Sequence, residues 1–339
     1  MYFSTKGRFS SIAAALICMA SVAQAQFQFK DTYPTIRSIP AIKPEWRDLI
    51  ANASITNAPI RTRTPDGNVD MSTVTDDPYC TWSFDRCIAK DDLYTCPTGQ
   101  YAVTFDDGPS EFSPKLYDYL KSINVKTTFF MVGGQVLTHP DLVKRAYDDG
   151  HEIAMHTWSH TAMTTQSNEE IVAELKWNEQ VIREVLGVSP RFFRPPFGNI
   201  DNRVRDIAKA LGFIPVMWTH DTFDWGLTAP GSTFDVQWIS NNITEWGRTN
   251  TTEGGISLSH DLYNSTVNAA LNYIPVFQNY YDLTAAGQCN NVAPYKESNS
   301  TNSSKDGVSP SGDESAAAAL MATPSWVFLL FTMILSRFL

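Results

Sequence analysis

The sequence predicts an α/β fold: a distorted or incomplete (β/α) barrel of parallel strands, preceded by an extended N-terminal segment. Three observations carry this expectation. From residue 98 onward, short apolar runs alternate strictly with amphipathic segments, the pattern of parallel strands joined by crossover helices. Six or seven such units fit within about 190 residues, enough to curl a sheet into a barrel, complete or not. The polar residues of chemical interest fall where strands run out, the end at which such barrels carry reactive side chains. They are Asp106 and Asp107, His156, Arg194, the segment from Trp218 to Trp225, and His260.

Residues 26–97 are rich in Pro, Thr and Asp, with little periodicity. They read as an extended or loosely folded N-terminal extension packed on the main domain. "YAVTF" (101–105) is the first strand. "SPKLYDYLKSI" follows as a helix, with Ser113 as its cap and Pro114 at the first helical position. "KTTFFMV" is a strand, and "PDLVKRAYDDG" a helix ending at Gly150. "HEIAMH" is a strand, and "NEEIVAELKWNEQVIREVLG" a long helix stopped by Gly187. "RFFR" is short and extended, "NRVRDIAKALG" a helix and "FIPVMW" a strand. "FDVQWISNNITEW" is a helix, "GISLSH" a strand, and "TVNAALNYIPVFQNYY" the closing helix. No internal repeat is evident.

Residues 1–25 read as a signal peptide. Lys6 and Arg8 precede the apolar "SIAAALICMA", and Ala23 and Ala25 offer the small residues of a cleavage site. The apolar run is far shorter than the ~20 residues of a membrane span. Residues 286–315 form a Ser/Asn-rich linker too polar to bury a core. Residues 316–339 join small residues to a terminal apolar tail, the layout of a GPI-attachment propeptide, with cleavage expected between Ser303 and Ser315. The domain at 98–285 is therefore expected to follow the secretory pathway to the cell surface. A GPI lipid would hold it at the plasma membrane and cell wall.

Cysteine usage agrees with an oxidising destination. Cys18 leaves with the signal, and Cys80, Cys87, Cys96 and Cys289 can pair in three ways. Cys96 and Cys289 flank the expected domain, which favours that pair and leaves Cys80 and Cys87 to close a small loop. No CxxC spacing suggests zinc held by thiolates. Glycosylation sequons stand at Asn52, Asn242, Asn250, Asn264, Asn299 and Asn302. Apolar residues make up 43% of the chain, enough for a core, and 26 basic against 36 acidic residues give a net charge of −10. Such a chain has no general attraction for nucleic acid or anionic lipid, so no nucleic-acid partner is expected.

In "TFDDGP", two carboxylates stand side by side at a strand end. Adjacent strand side chains point to opposite faces, so Asp106 and Asp107 are expected to do different jobs. In "HTWSH", His156 and His160 are four apart and would share one face of a helical turn. Two imidazoles and a carboxylate make the three-ligand set of a catalytic metal site with open positions for water and substrate. Asp107 is assigned as the third ligand. Asp106 then stays free to accept a proton from water, whose pKa a metal lowers towards ~7.

"TFDDGP", "HTWSH", "RPPFG", "DTFDW" and "LSHD" occur in this order. Together they resemble the five motifs of the polysaccharide deacetylase family, also called the NodB homology domain or carbohydrate esterase family 4, over about residues 98–285. With the leader, stalk and tail, the similarity is greatest to fungal GPI-anchored chitin deacetylases. The resemblance implies a NodB-like barrel and a divalent metal, zinc or cobalt, on Asp107, His156 and His160. It implies metal-dependent hydrolysis of N-acetyl groups from N-acetylglucosamine residues of chitin, giving chitosan and acetate. Asp106 matches the general base and Arg194 the residue that orients it. His260 matches the general acid, and Asp224 the carboxylate that orients it and raises its pKa. Phe197 stands where the family usually has Tyr. The oxyanion donor there is a backbone N–H, so the change preserves the donor while altering the acetyl pocket or substrate contacts. Trp225 matches an aromatic wall of the groove and Leu258 the lining for the acetyl methyl. Asp221 fits its motif without an assigned role. His139 and His151 read as structural, and His220 is left open. The expected partner is chitin or a related N-acetylglucosamine polymer, and the expected state a monomer.

Three other readings use the same residues. Chitosan, acetylxylan or another acetylated glycan would need the same chemistry, since the motifs report acetyl transfer to water and not the polymer. A wall-binding protein with a decayed site would need a broken ligand or base, and none is broken. A glycoside hydrolase also uses two carboxylates, but neighbours on opposite strand faces do not flank one bond well.

Overall fold

The structure is a computed structural model that describes residues 27–74, 77–229, 231–249 and 253–297. Contacts divide the chain into two units, 1–300 and 301–339, and the description below concerns the first. The expected signal peptide, the GPI propeptide, the linker beyond residue 297 and the sequons at Asn250, Asn299 and Asn302 lie outside the described residues. Asn52 and Asn264 are exposed, and Asn242 is half-buried. Among the described residues no helix is long and apolar enough to cross a membrane.

The strands are β1 (Gln100–Asp106), β2 (Thr128–Met131), β3 (Glu152–Met155), β4 (Phe192–Phe193), β5 (Ile214–Pro215), β6 (His220–Asp221), β7 (Gly255–Leu258) and β8 (Asp282–Thr284). They form one sheet in the order β5-β4-β3-β2-β1-β7-β6, parallel at every pairing. β8 joins β1 at Gln100–Ala102, on the side where β2 takes over at Thr104–Asp106. Edge strands β5 and β6 do not pair with each other, so the sheet is an open, incomplete (β/α) barrel, as expected. Buried on both faces, β1 must read as a nearly continuous apolar run, and six of its seven residues are buried.

The helices are α1 (Trp82–Asp85), α2 (Ser113–Ser122), α3 (Gly133–Thr138), α4 (Pro140–Asp148), α5 (Asn168–Leu186), α6 (Asn202–Ala210), α7 (Gln237–Thr249), α8 (Asn264–Gln278) and α9 (Ala286–Cys289). The longest, α5, starts at a capping box between Ser167 and Glu170 and stops at Gly187 in the left-handed region (φ 78°). Ser113 is not the cap of α2. It is the first helical residue, and its Oγ accepts from Ser110 N at 2.8 Å and donates to the buried Asp261 carboxylate. "FIPVMW" yields only the two-residue β5, and Val216 after it forms a parallel bridge with Leu93 of the N-terminal extension. α3, β6, β8 and α9 were not expected, being too short to show a period.

One boundary expectation changes. The stretch 286–297, expected as the start of the linker, packs on the domain. Cys289 is disulfide-bonded to Cys96, Tyr295 bridges Pro190, and Tyr295 Oη bonds Ile153 N at 3.1 Å. The N-terminal extension has little regular structure yet packs closely. Tyr33 stacks on Trp158 at 5.8 Å, Trp46 meets Trp177 edge-on at 5.0 Å, and Trp82 lies 4.0 Å from Trp218. It also holds one tight turn that was not expected, where Arg63 and Val69 form an antiparallel bridge. The second disulfide joins Cys80 and Cys87, completing the favoured pairing.

Candidate active site

β1 delivers the paired carboxylates, but not to opposite faces. Asp106 ends the strand, and Asp107 takes a left-handed backbone (φ 76°) that breaks the alternation. Both side chains therefore line one cavity of about 450 Å³, together with His156, His160, Phe197, Trp225, Leu258 and His260. Gly108 is needed at the break: a Cβ there would lie 2.2 Å from Asp261 Oδ1.

The histidines also converge by a route other than the expected one. Residues 156–162 form no helix, and left-handed Thr157 (φ 62°) and His160 (φ 61°) turn the loop back on itself. Glu174 of α5 holds that loop from below, fully buried. It accepts from Trp158 N at 2.7 Å, from Ser159 N at 2.9 Å and from the Ser159 hydroxyl. Burial pushes the Glu174 carboxyl up to about 7 despite these donors.

Asp107, His156 and His160 present ligand atoms within 4.8 Å of one another. His160 Nε2 lies 3.1 Å and His156 Nε2 3.4 Å from Asp107 Oδ1. Yet Asp107 Oδ1 is buried without a hydrogen bond, a buried acceptor that calls for a cation. His156 Nδ1 pairs with Arg194 O at 2.8 Å, which directs the other ring nitrogen to the group. Burial lowers the His156 pKa to about 3, so its imidazole is neutral and its lone pair free. One carboxylate and two imidazoles suit a divalent metal.

Asp106 is 2% exposed and its Oδ1 accepts from Arg194 Nη1 at 2.8 Å. Arg194, wholly buried, also donates to Thr104 Oγ1, Val216 O and Met217 O, and its guanidinium lies 4.0 Å above the Phe130 ring. Burial pushes the Asp106 carboxyl up to about 6, against the pull of Arg194. Across the strand pair, Asp106 bridges His260 in register. His260 is gripped twice by the buried Asp224: Nδ1 to Oδ1 at 2.6 Å, and backbone N to Oδ2 at 2.9 Å. Burial alone would lower the His260 pKa, but Asp224 outweighs it and raises the imidazolium to about 10. With Nδ1 engaged, Nε2 is the nitrogen left to the cavity.

Phe197 is half-exposed and left-handed (φ 58°), with its ring edge-on to His160 at 4.8 Å. Its N–H has no acceptor among the described backbone hydrogen bonds. Asp221 Oδ1 accepts from Phe223 N at 2.7 Å, so it shapes the aromatic turn. His220 is structural, stacked on the Trp246 ring and bonded to Tyr101 Oη at 2.9 Å.

Four lining residues were not anticipated: Asn68, Thr228, Tyr263 and Thr266. Asn68 comes from the N-terminal extension, where "TPDGN" carried a turn signal that could have found it. Tyr263, half-exposed, stands two residues after the last motif.

Residues 95–216 match the profile of the family described as polysaccharide deacetylase. Chitin deacetylase 1 of Cryptococcus neoformans var. grubii is 40% identical over 258 residues, 71% of this chain and 54% of that protein. The chain spans 54–60% of the length of the first curated relatives it matches. The solved chitin deacetylase of Colletotrichum lindemuthianum is 27% identical with a TM-score of 0.56, covering 60% of this chain and 95% of that one. A solved structure described as T48 deacetylase with substrate is 30% identical with a TM-score of 0.51, covering 59% of this chain and 94% of that one. Shared identity across nearly the whole of a solved deacetylase, on the same open barrel, has one meaning: this chain belongs to the polysaccharide deacetylase family.

Proposed function

We propose that this chain hydrolyses N-acetyl groups from N-acetylglucosamine residues of chitin, releasing acetate and leaving free amines. The observation that carries the reading is one cavity holding two differently tuned proton groups, Asp106 with Arg194 and His260 with Asp224, beside the Asp107, His156 and His160 group. Such divergent environments are how a site divides base and acid roles.

An acetamide is a poor electrophile and its nitrogen a poor leaving group, so both ends of the reaction need help. Asp106, ionised and oriented by Arg194, takes a proton from water as the water oxygen bonds to the carbonyl carbon. The carbonyl electrons move to oxygen, where the Phe197 N–H stands as donor. His260 gives the Nε2 proton to the amide nitrogen, the C–N bond breaks, and Asp224 steadies the imidazole throughout. Leu258 and Trp225 line the space for the methyl and the ring. A divalent cation on Asp107, His156 and His160 supplies, when bound, the Lewis acidity that polarises the carbonyl and acidifies water. Zinc suits this donor set, and cobalt accepts the same ligands.

The wider proposal is a monomer exported through the secretory pathway and held at the plasma membrane and cell wall by a GPI lipid. The two disulfides support an oxidising destination. The test offers the purified protein chitin oligomers, chitosan and acetylxylan in parallel and measures acetate. Release is expected first from chitin oligomers, abolished by a chelator and restored by zinc. Preference for acetylxylan would move the substrate to an ester, and activity that survives chelation would end the metal assignment.

A further inference from the structure

We propose that the hairpin Arg61–Asp70 of the N-terminal extension forms a sugar-binding subsite, for a ring next to the one whose acetamide enters the catalytic cavity. The proposal rests on the glycan reading above and assigns the length preference of that same site to residues outside the family-matched segment 95–216.

The hairpin is closed by its own hydrogen bonds. Thr64 N bonds Asn68 O at 2.9 Å, Asn68 N bonds Thr64 Oγ1 at 3.1 Å, and Gly67, at φ 90°, closes the turn through Thr64 O at 3.0 Å. It is also clamped to the loop that carries His160. Ala162 N donates to Gly67 O and Arg61 N donates to Thr164 O, both at 2.9 Å, and the Arg61 guanidinium pairs with Asp77 at 2.9 Å.

Its tip faces ligand space. Asn68 lines the cavity that holds Asp106 and His260. Its Oδ1 is committed to Val69 N at 2.7 Å, which leaves the NH₂ of the same amide to meet a ligand. Beside it, Arg63 and Asp66, both exposed, line an adjoining cleft of about 850 Å³ that shares His160, Phe197 and Tyr263 with the cavity. A guanidinium fork and a carboxylate in one cleft suit a neutral ring whose hydroxyls both donate and accept. The half-exposed rings of Phe197 and Tyr263 offer apolar faces to stack on. Continuity with the cavity makes the occupant the next unit of the same chain.

The test compares Arg63→Ala and Asn68→Ala with the parent protein on a small aryl acetate and on N-acetylglucosamine oligomers of increasing length. Arg63 is exposed at the hairpin, so its loss does not threaten the fold. The expected result is a kcat/KM loss that grows with length, about tenfold larger on the tetramer than on the aryl acetate. Equal losses on every substrate would overturn the subsite. Calorimetry of the chitin tetramer on Asp106→Asn, with and without Arg63→Ala, separates the two proposals. A roughly tenfold weaker tetramer affinity supports the subsite even if the parent releases no acetate. Unchanged affinity sinks the subsite and leaves the deacetylase reading standing.

Discussion

At the residue scale, the site depends on backbone conformations that side chains rarely adopt. Asp107, Thr157, His160, Phe197 and Phe223 all have φ between 55° and 76°. Each costs on the order of 1–3 kcal/mol, which the surrounding packing must offset. Burial has a second effect here, on protons. Asp224 lifts the His260 imidazolium from 6.5 to about 10, so the acid form is present throughout neutral pH and is lost only as pH rises through that value. Asp224→Asn removes the charge and leaves burial, which lowers the pKa. Only the weaker pull of Asp107 and Asp106 then opposes burial, so the alkaline limb of kcat/KM against pH is expected to fall from near 10, with activity at neutral pH reduced ~10²–10⁴-fold. An alkaline limb that stays in place would assign the proton to another group.

At the element scale, α5 does more than cover the sheet, because Glu174 props the loop that presents His160. Glu174→Ala would strip two buried N–H groups of their acceptor, at about 1–3 kcal/mol each. Zinc affinity measured by competition with a chromogenic chelator is expected to drop ~10–100-fold. Glu174→Gln, which keeps one oxygen acceptor, is expected to recover part of it. None of this was visible in "NEEIVAELKW", where Glu174 reads as one more helix-favouring residue. Long elements were legible because period and caps repeat: Ser167, Glu170 and Gly187 mark α5 at both ends. The residues of the site were legible as motifs, while their geometry was not. Strand alternation separates Asp106 from Asp107, and helical spacing pairs His156 with His160. Left-handed backbone at three positions replaces both rules, and single dihedrals leave no periodic trace.

At the scale of the molecule, the open barrel concentrates its chemistry on β1, which touches β2, β7 and β8 at once. The extension then supplies what the barrel lacks. α1 packs Trp82 so closely behind the "RPPFG" loop that a Cβ on Gly198 would lie 2.3 Å from its ring. The folded unit also runs further than composition suggests, since Tyr295 is buried and the Ser/Asn bias begins only after it. A chain ended after Glu297 is expected to be secreted into the medium and fully active, whereas the longer chain is expected to stay with membranes until a phosphatidylinositol-specific phospholipase frees it. Retention of the shortened chain on membranes would remove the tail from that role.

The bond between Cys96 and Cys289 encloses every residue of the candidate catalytic group, from Asp106 to His260, in one covalent ring. A protease that nicks a loop inside that ring makes two fragments without releasing either. They stay joined until a reductant opens the bridge, and a chain so built can lose a peptide bond and keep its parts at hand.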